Sequence, residues 1–270
     1  MPIDVRPYRA ADLPAVERIM LAAYEHPSSP GMRSRLEIGA DHAFVAESDG
    51  LTAGFVMASD YGGVAYIASM GVNPAHQRKG AGRRLMARLV DDLERAGVAA
   101  LLLDATDAGA PLYESFGFVD TDRTLVFERS VTNGQSGGDP FDPIDDAAIE
   151  RAVALDRRLC ACDRSAIVRG FAREPAAYLA VRDGGYILAR ADAFGPFVAE
   201  RAGDARALLL EALAARPAAS RLFVPESNRA GVTLALESGF VRTRSLRHME
   251  RGHSPIVRER VFGQASLGHG

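Results

Sequence analysis

The chain has no tryptophan, a single lysine and two cysteines in 270 residues. Cys160 and Cys162 are separated by one residue, too close for an easy disulfide and without a second pair to complete a zinc site. They read as ordinary helix residues in a reducing compartment, and no metal is expected. No uninterrupted apolar run approaches the roughly 18 residues of a membrane span, and the opening "MPIDVRPYRAADL" has no signal-peptide core. A cytoplasmic protein with no membrane partner is expected. The formal net charge is −3, so no global basic field recruits nucleic acid and any anion site must be local.

What is present is 47% apolar content on a chain long enough for two domains. Residues 1–130 alternate strand and helix signals. "IDVRPYR" reads as a first strand, and Leu13, Val16, Met20 and Tyr24 recur at helical spacing. "HAFVAES", the turn Asp49-Gly50 and "LTAGFVMAS" form a hairpin, and "VAYIASMGV" is a further strand. A helix follows with Leu85, Leu89 and Leu93 on one face. "VAALLLDAT" is a fully apolar strand, "AGAPLYESF" a short helix closed by Gly117, and "FVDTDRTLVFER" a final pair of strands.

The polar, glycine-rich stretch 131–139 reads as a linker, followed by a second domain over 140–252 and a tail over 253–270. "AFVAESDG" at Ala43 resembles "AYLAVRDG" at Ala177, and "LYESFGFV" at Leu112 resembles "LALESGFV" at Leu234. Both halves therefore read as copies of one fold. Aligning the helix faces places Gly80 opposite Asp204 and Gly82 opposite Arg206, and the second alignment places Tyr113 opposite Ala235. The second copy keeps the scaffold and loses the groups that chemistry would use.

Those groups lie in "GVNPAHQRKGAGRRLMARLV", Gly71 to Val90, where a strand enters a loop with two glycines and a cluster of cations before an amphipathic helix. A helix start exposes unpaired N–H groups and about half a positive charge, so such a loop suits an anion. Gly80 and Gly82 let backbone approach a phosphate, and Gln77, Arg78, Lys79, Arg83 and Arg84 can add donors. A P-loop would need Gly-Lys-Ser/Thr, which "KGAGR" reverses, and a dinucleotide site would need G-x-G-x-x-G in the first strand-to-helix turn. Neither pattern is met.

"VNPAHQRKGAGRRLM" resembles the pyrophosphate-binding motif of the GCN5-related N-acetyltransferases, Gln/Arg-x-x-Gly-x-Gly/Ala, with Gln77, Gly80 and Gly82 on its fixed positions. "LDATDAGAPLYESFGF" resembles that family's later motif, a helix carrying a tyrosine and ending in Gly-Phe. The resemblance covers residues 1–130 closely and residues 140–250 more faintly, as a degenerate second copy. It implies a mixed α/β fold: two domains, each a central mixed sheet flanked by helices, with a splay between the fourth and fifth strands.

It also implies acetyl-CoA as cosubstrate. The diphosphate would rest on the loop from Gln77 through Arg78, Lys79, Gly80, Ala81 and Gly82 to Arg83. Pantetheine would lie along Met70, Gly71 and Val72, with a backbone N–H near Met70 polarising the thioester carbonyl. Thr106, where many members have an asparagine, and Gly109 would stand near the cofactor. Tyr113 would be the general acid for the departing thiolate, because a phenol of pKa about 10 roughly matches a thiol. A tyrosine packed by its ring is the competing reading.

Asp104, Asp60, Glu25 and His26 are candidate bases, none favoured over another. Arg33 and Arg35 could border the acceptor site or simply lie on a helix surface. The expected function is transfer of an acetyl group to a primary amine of a small molecule by direct attack, with a homodimer compatible with the sequence. An acyl-CoA-binding sensor without turnover and a protein or peptide N-acetyltransferase are the alternatives.

Overall fold

A computed structural model describes residues 3–23, 38, 41–130 and 144–270. Glu25, His26, Arg33, Arg35 and the expected linker 131–139 lie outside the described residues. The chain folds into two compact units. Unit 1 comprises the chain up to Leu103, with Asp107–Val119 and Glu250–Ser254. Unit 2 comprises Asp104–Thr106, Asp120–Met249 and Pro255–Gly270.

In unit 1 the strands run β1 (Asp4–Pro7), β2 (His42–Ser48), β3 (Leu51–Asp60), β4 (Val64–Val72) and β5 (Ala100–Ala105), and they neighbour one another in that order. The first four pair antiparallel and β4 pairs β5 parallel. At the β2–β3 turn Asp49 and Gly50 both take positive φ, the backbone that a tight hairpin demands. Helix α1 (Leu13–Ala23) packs Leu13, Val16 and Ile19 against Val45, Phe55 and Met57. Helix α2 (Ala81–Arg95) buries Leu85, Met86, Leu89 and Leu93 on β2 and β3. Burying each such side chain contributes about 1.5–3 kcal/mol, which fixes the helix against the sheet. The short helix α3 (Ala110–Glu114) follows β5.

In unit 2 the sheet order is β11 (Val241–Arg251), β6 (Val119–Glu128), β10 (Arg221–Pro225), β9 (Ala193–Ala199), β8 (Gly185–Ala189) and β7 (Tyr178–Arg182). Its helices are α4 (Asp146–Cys160), α5 (Ser165–Ala172), α6 (Ala202–Ala215) and α7 (Arg229–Glu237). Leu125 and Phe127 of β6 share one core with Leu208, Leu222, Val224 and Phe240.

Three local expectations change. "FVDTDRTLVFER" forms the single strand β6, because its polar middle stays extended and residues 124–128 pair antiparallel with β10. Cys162 lies beyond α4, which ends at Cys160 with Ala161 at positive φ as its cap. Residues 258–270 are ordered on unit 2 and include the strand β12 (Val261–Gly263), paired with β9.

Candidate active site

The loop from β4 to α2 contains a 3-10 turn, Pro74–His76, whose preceding Asn73 accepts a side-chain bond from the Ala75 N–H at 3.0 Å. Arg78 and Gly80 then take positive φ, +57° and +93°. Gly80 caps α2, and its carbonyl accepts the Arg84 N–H at 3.1 Å. The N–H groups of Ala81, Gly82 and Arg83 lie in the first turn, with no carbonyl of an earlier turn to bond. They point out of a helix of 15 residues, so their partial positive charge is undiluted.

The loop side chains are largely committed within the protein. Gln77 Nε2 donates to the Val72 carbonyl at 3.3 Å and Lys79 Nζ to the Ala75 carbonyl at 2.8 Å. Arg83 Nη1 donates to Ser115 Oγ at 3.2 Å, and its guanidinium lies over the Phe116 ring at 5.5 Å. Arg84 Nη1 donates to the Ile3 carbonyl. Backbone N–H groups are thus what the loop leaves to offer, the donors that glycine-rich helix starts present best.

Strand β4 carries a bulge: Met57 pairs Ser69 and Ala58 pairs Ile67, leaving Ala68 as the extra residue. The bulge coincides with the end of the β4–β5 ladder, which bonds only from Val64/Ala100 to Tyr66/Leu102. Beyond it the two strands diverge, which is the expected splay. Asn73 donates its N–H to Ala53 of β3. By strand alternation, Met70 and Val72 then turn their backbone groups toward the diverged edge.

Tyr113, on α3, sets its hydroxyl 3.8 Å from the Met70 sulfur and its ring edge-on to Phe118, 6.1 Å between centroids. A Cβ added at Gly82 would meet Met70 Cε at 3.2 Å, Leu112 Cδ2 at 3.5 Å and Val72 Cγ2 at 3.6 Å. The absent side chain leaves open the space framed by the helix start, the strand end and α3. Gly71 is needed for packing instead, since a Cβ there would come within 2.8 Å of Phe55. Gly109 caps α3 with its carbonyl accepting the Leu112 N–H, and Thr106 is exposed. The loop, the strand end and the tyrosine are therefore together. The residues that sequence reasoning missed are Ser115 and Phe116, which anchor Arg83; only their place in the α3 motif pointed to them.

The two described candidate bases are otherwise engaged. Asp60 accepts the N–H groups of Gly62 and Gly63 in the β3–β4 turn, at the end of β4 remote from Val72. The Asp104 side chain is buried in unit 2, where its Oδ1 accepts Thr124 Oγ1 at 2.8 Å and lies 3.0 Å from His248 Nδ1. Nearby, Arg258 Nε donates to Asp122 Oδ2 at 2.8 Å and Ser227 Oγ donates to the same oxygen at 2.7 Å. Burial pushes the Asp122 carboxyl up, but the charge and hydrogen bond of Arg258, with the Ser227 bond, outweigh it and hold the pKa below the ordinary range. This network is architectural.

In the second copy Phe240 N–H bonds the Ala235 carbonyl as Phe118 N–H bonds that of Tyr113, and Gly239 and Gly117 both sit at positive φ. Ala235 accordingly occupies the tyrosine position. The helix register differs from the expected one. Buried Leu208, Leu209 and Ala212 match Leu85, Met86 and Leu89, which sets Gly203 opposite Gly80 and Ala205 opposite Gly82. What the second copy has lost is the loop itself, because only Glu200 and Arg201 separate β9 from α6.

An acetyltransferase (GNAT) domain model matches residues 20–131, and a second acetyltransferase (GNAT) domain model matches residues 152–263. The [ribosomal protein bS18]-alanine N-acetyltransferase of Escherichia coli (strain K12) is 36% identical over 110 residues, covering 40% of this chain and 74% of that protein. The L-methionine sulfoximine/L-methionine sulfone acetyltransferase of Salmonella typhimurium is 35% identical over 85 residues, 28% of this chain and 50% of that one. A crystal structure described as an acetyltransferase, from Pyrococcus horikoshii, shares the fold with a TM-score of 0.85 at 24% identity, over 99% of this chain and 96% of that one. With a glycine-bearing loop at a helix start, a bulged and splayed strand pair and two matching domains, the chain belongs to the GCN5-related N-acetyltransferase family, as a tandem member and an acetyl-CoA-dependent N-acetyltransferase.

Proposed function

We propose that unit 1 acetylates the primary amine of a small amino-acid-like molecule, with Tyr113 as general acid. The observation that carries this reading is the Tyr113 hydroxyl held against Met70 at the head of the β4–β5 gap. Acetyl-CoA supplies an acetyl group already activated as a thioester. The residues fit that cosubstrate: the N–H groups of Ala81, Gly82 and Arg83 suit a diphosphate, and the missing Gly82 side chain leaves room for its approach. The outward backbone of Met70 and Val72 can orient an amide-bearing arm as a strand would. Tyr113 holds a proton at its hydroxyl for the departing sulfur, a contribution of about 10²–10⁴ in rate for positioned acid catalysis.

The acceptor class rests on the relatives, one named for a methionine analogue and one for the alanine of a ribosomal protein. Both names include an amino acid or a close analogue of one. The ribosomal relative favours a second reading, a peptide N-terminus beginning with alanine. Release of CoA thiol with methionine sulfoximine, free amino acids and alanine-initiated peptides separates the two. Turnover only with peptides would overturn the small-molecule assignment, and acetyl-CoA binding without turnover on any amine would leave a sensor.

A further inference from the structure

Unit 2 has the same bulge and gap as unit 1, and in unit 2 the gap is filled. Strand β9 pairs β10 parallel only at Ala193/Arg221 and Phe194/Leu222, and its register against β8 shifts between Ile187/Phe197 and Ala189/Phe194. Counting each strand from its bulge, Phe197 and Val198 correspond to Ser69 and Met70. Those two residues are the ones that β12 pairs: Val261 opposes Val198 and Gly263 opposes Phe197. The other side of the inserted segment reaches β10, where Gln264 donates its N–H to the Phe223 carbonyl at 2.8 Å.

Its ends are tied by buried side chains. Asn228, which stands where Thr106 stands in the first copy, donates Nδ2 to the Val261 carbonyl at 2.9 Å while its Oδ1 caps α7 through the Gly231 N–H. Arg190 Nη2 donates to the Ala265 carbonyl at 2.6 Å and Arg164 Nη1 to the Gly270 carbonyl at 2.8 Å. Space has been cleared for the segment. A Cβ at Gly195 would come within 2.0 Å of the Gln264 carbonyl oxygen, and one at Gly263 within 2.8 Å of Leu222.

We propose that the β9–β10 gap is a strand-binding site whose resident ligand is the chain's own residues 261–264, standing in unit 2 where the pantetheine arm is assigned in unit 1. The comparison with pantetheine rests on the proposed reading of unit 1. An extended segment added between two strands gains main-chain bonds on both flanks, the physics of strand addition. It also closes the gap to any other amide-bearing chain, so unit 2 is a closed scaffold.

The test uses the full chain with a protease site inserted after Pro255, cut after folding. A labelled peptide of residues 256–270 should then exchange into the protein at one per chain, and the same peptide carrying Gln264→Pro should bind at least about tenfold more weakly, having lost the donor to Phe223. In the uncut chain Gln264→Pro should lower Tm by a few degrees and speed hydrogen exchange at Phe197 and Ala199, whose amides face β12. Equal binding of both peptides, or loss of the cut fragment with unchanged exchange at Phe197 and Ala199, would overturn the proposal. Neither readout uses acetyl-CoA, so failure of the unit 1 assignment would appear separately, as absent heat on titrating acetyl-CoA into the uncut chain.

Discussion

The Tyr113 hydroxyl rests on the Met70 sulfur at 3.8 Å while the Tyr113 ring packs edge-on against Phe118. The ring contact is independent of the hydroxyl. Tyr113→Phe should therefore fold normally and bind acetyl-CoA unchanged, yet lower kcat by about a hundred- to ten-thousand-fold. Steady-state turnover beside calorimetric affinity checks this. Undiminished kcat would make Tyr113 a packing residue.

Gly82→Asp tests the anion loop. The nearest atom to the new Cβ is the Met70 methyl at 3.2 Å, the flexible end of a side chain, and a first-turn carboxylate is compatible with the helix dipole. Folding should survive. Acetyl-CoA affinity should fall at least about a hundredfold, because like charges brought together cost several kcal/mol. Calorimetry on a variant with native-like circular dichroism gives the answer, and unchanged affinity would remove the phosphate assignment.

Only one acetyl-CoA should bind per chain. Unit 1 has a loop with a helix-start donor set, whereas in unit 2 two residues join β9 to α6, and one of them, Glu200, is paired with Arg158. A diphosphate has nowhere to approach. Titration to a stoichiometry of two would contradict this.

Arg258 and Asp122 predict a pH signature. The Asp122 carboxyl is lowered on folding, so it adds stability above its unfolded pKa, about 3.9, and loses that stability as pH falls through the folded value. Arg258→Leu should destabilise the protein by about 1–3 kcal/mol near neutral pH, the cost of losing a charged hydrogen bond to a half-buried carboxylate. The deficit should shrink once pH drops below about 4. Urea midpoints measured at both ends of that range decide it, and a deficit independent of pH would mean that Asp122 is not the coupled group.

The fold class and the duplication were legible because their signals are local: alternating strands, the Asp-Gly turns and the Gly-Phe ends at Gly117 and Gly239 each span a few residues. The meeting of Met70, Gly82 and Tyr113 was legible because one motif ends in the strand and helix that hold the first two, and the other motif carries the third. What remained hidden depends on pairing between distant segments. The Ala68 bulge, the engagement of Asp104 with Thr124 and His248, and the seating of Val261 on Val198 are set by neighbours 10 to 144 residues away, which no window of sequence registers. The second helix slipped by one residue because Ala and Leu fill "ARALLLEALAA" so evenly that several faces look apolar.

Strand β6 ends at Glu128, yet the strand it pairs with, β10, begins at Arg221. During synthesis the intervening 92 residues (129 to 220) must be added before that partner exists, a wait of about 5–20 s at 5–20 residues per second. Leu125 and Phe127, both buried in the finished core, lack that partner for the interval. The order in which the chain is made therefore leaves β6 open to chaperones and to mispairing until β10 emerges. A pause in translation just before Arg221, with β6 clear of the ribosome and β10 not yet made, should increase aggregation more than a pause at Ser130, with β6 still enclosed.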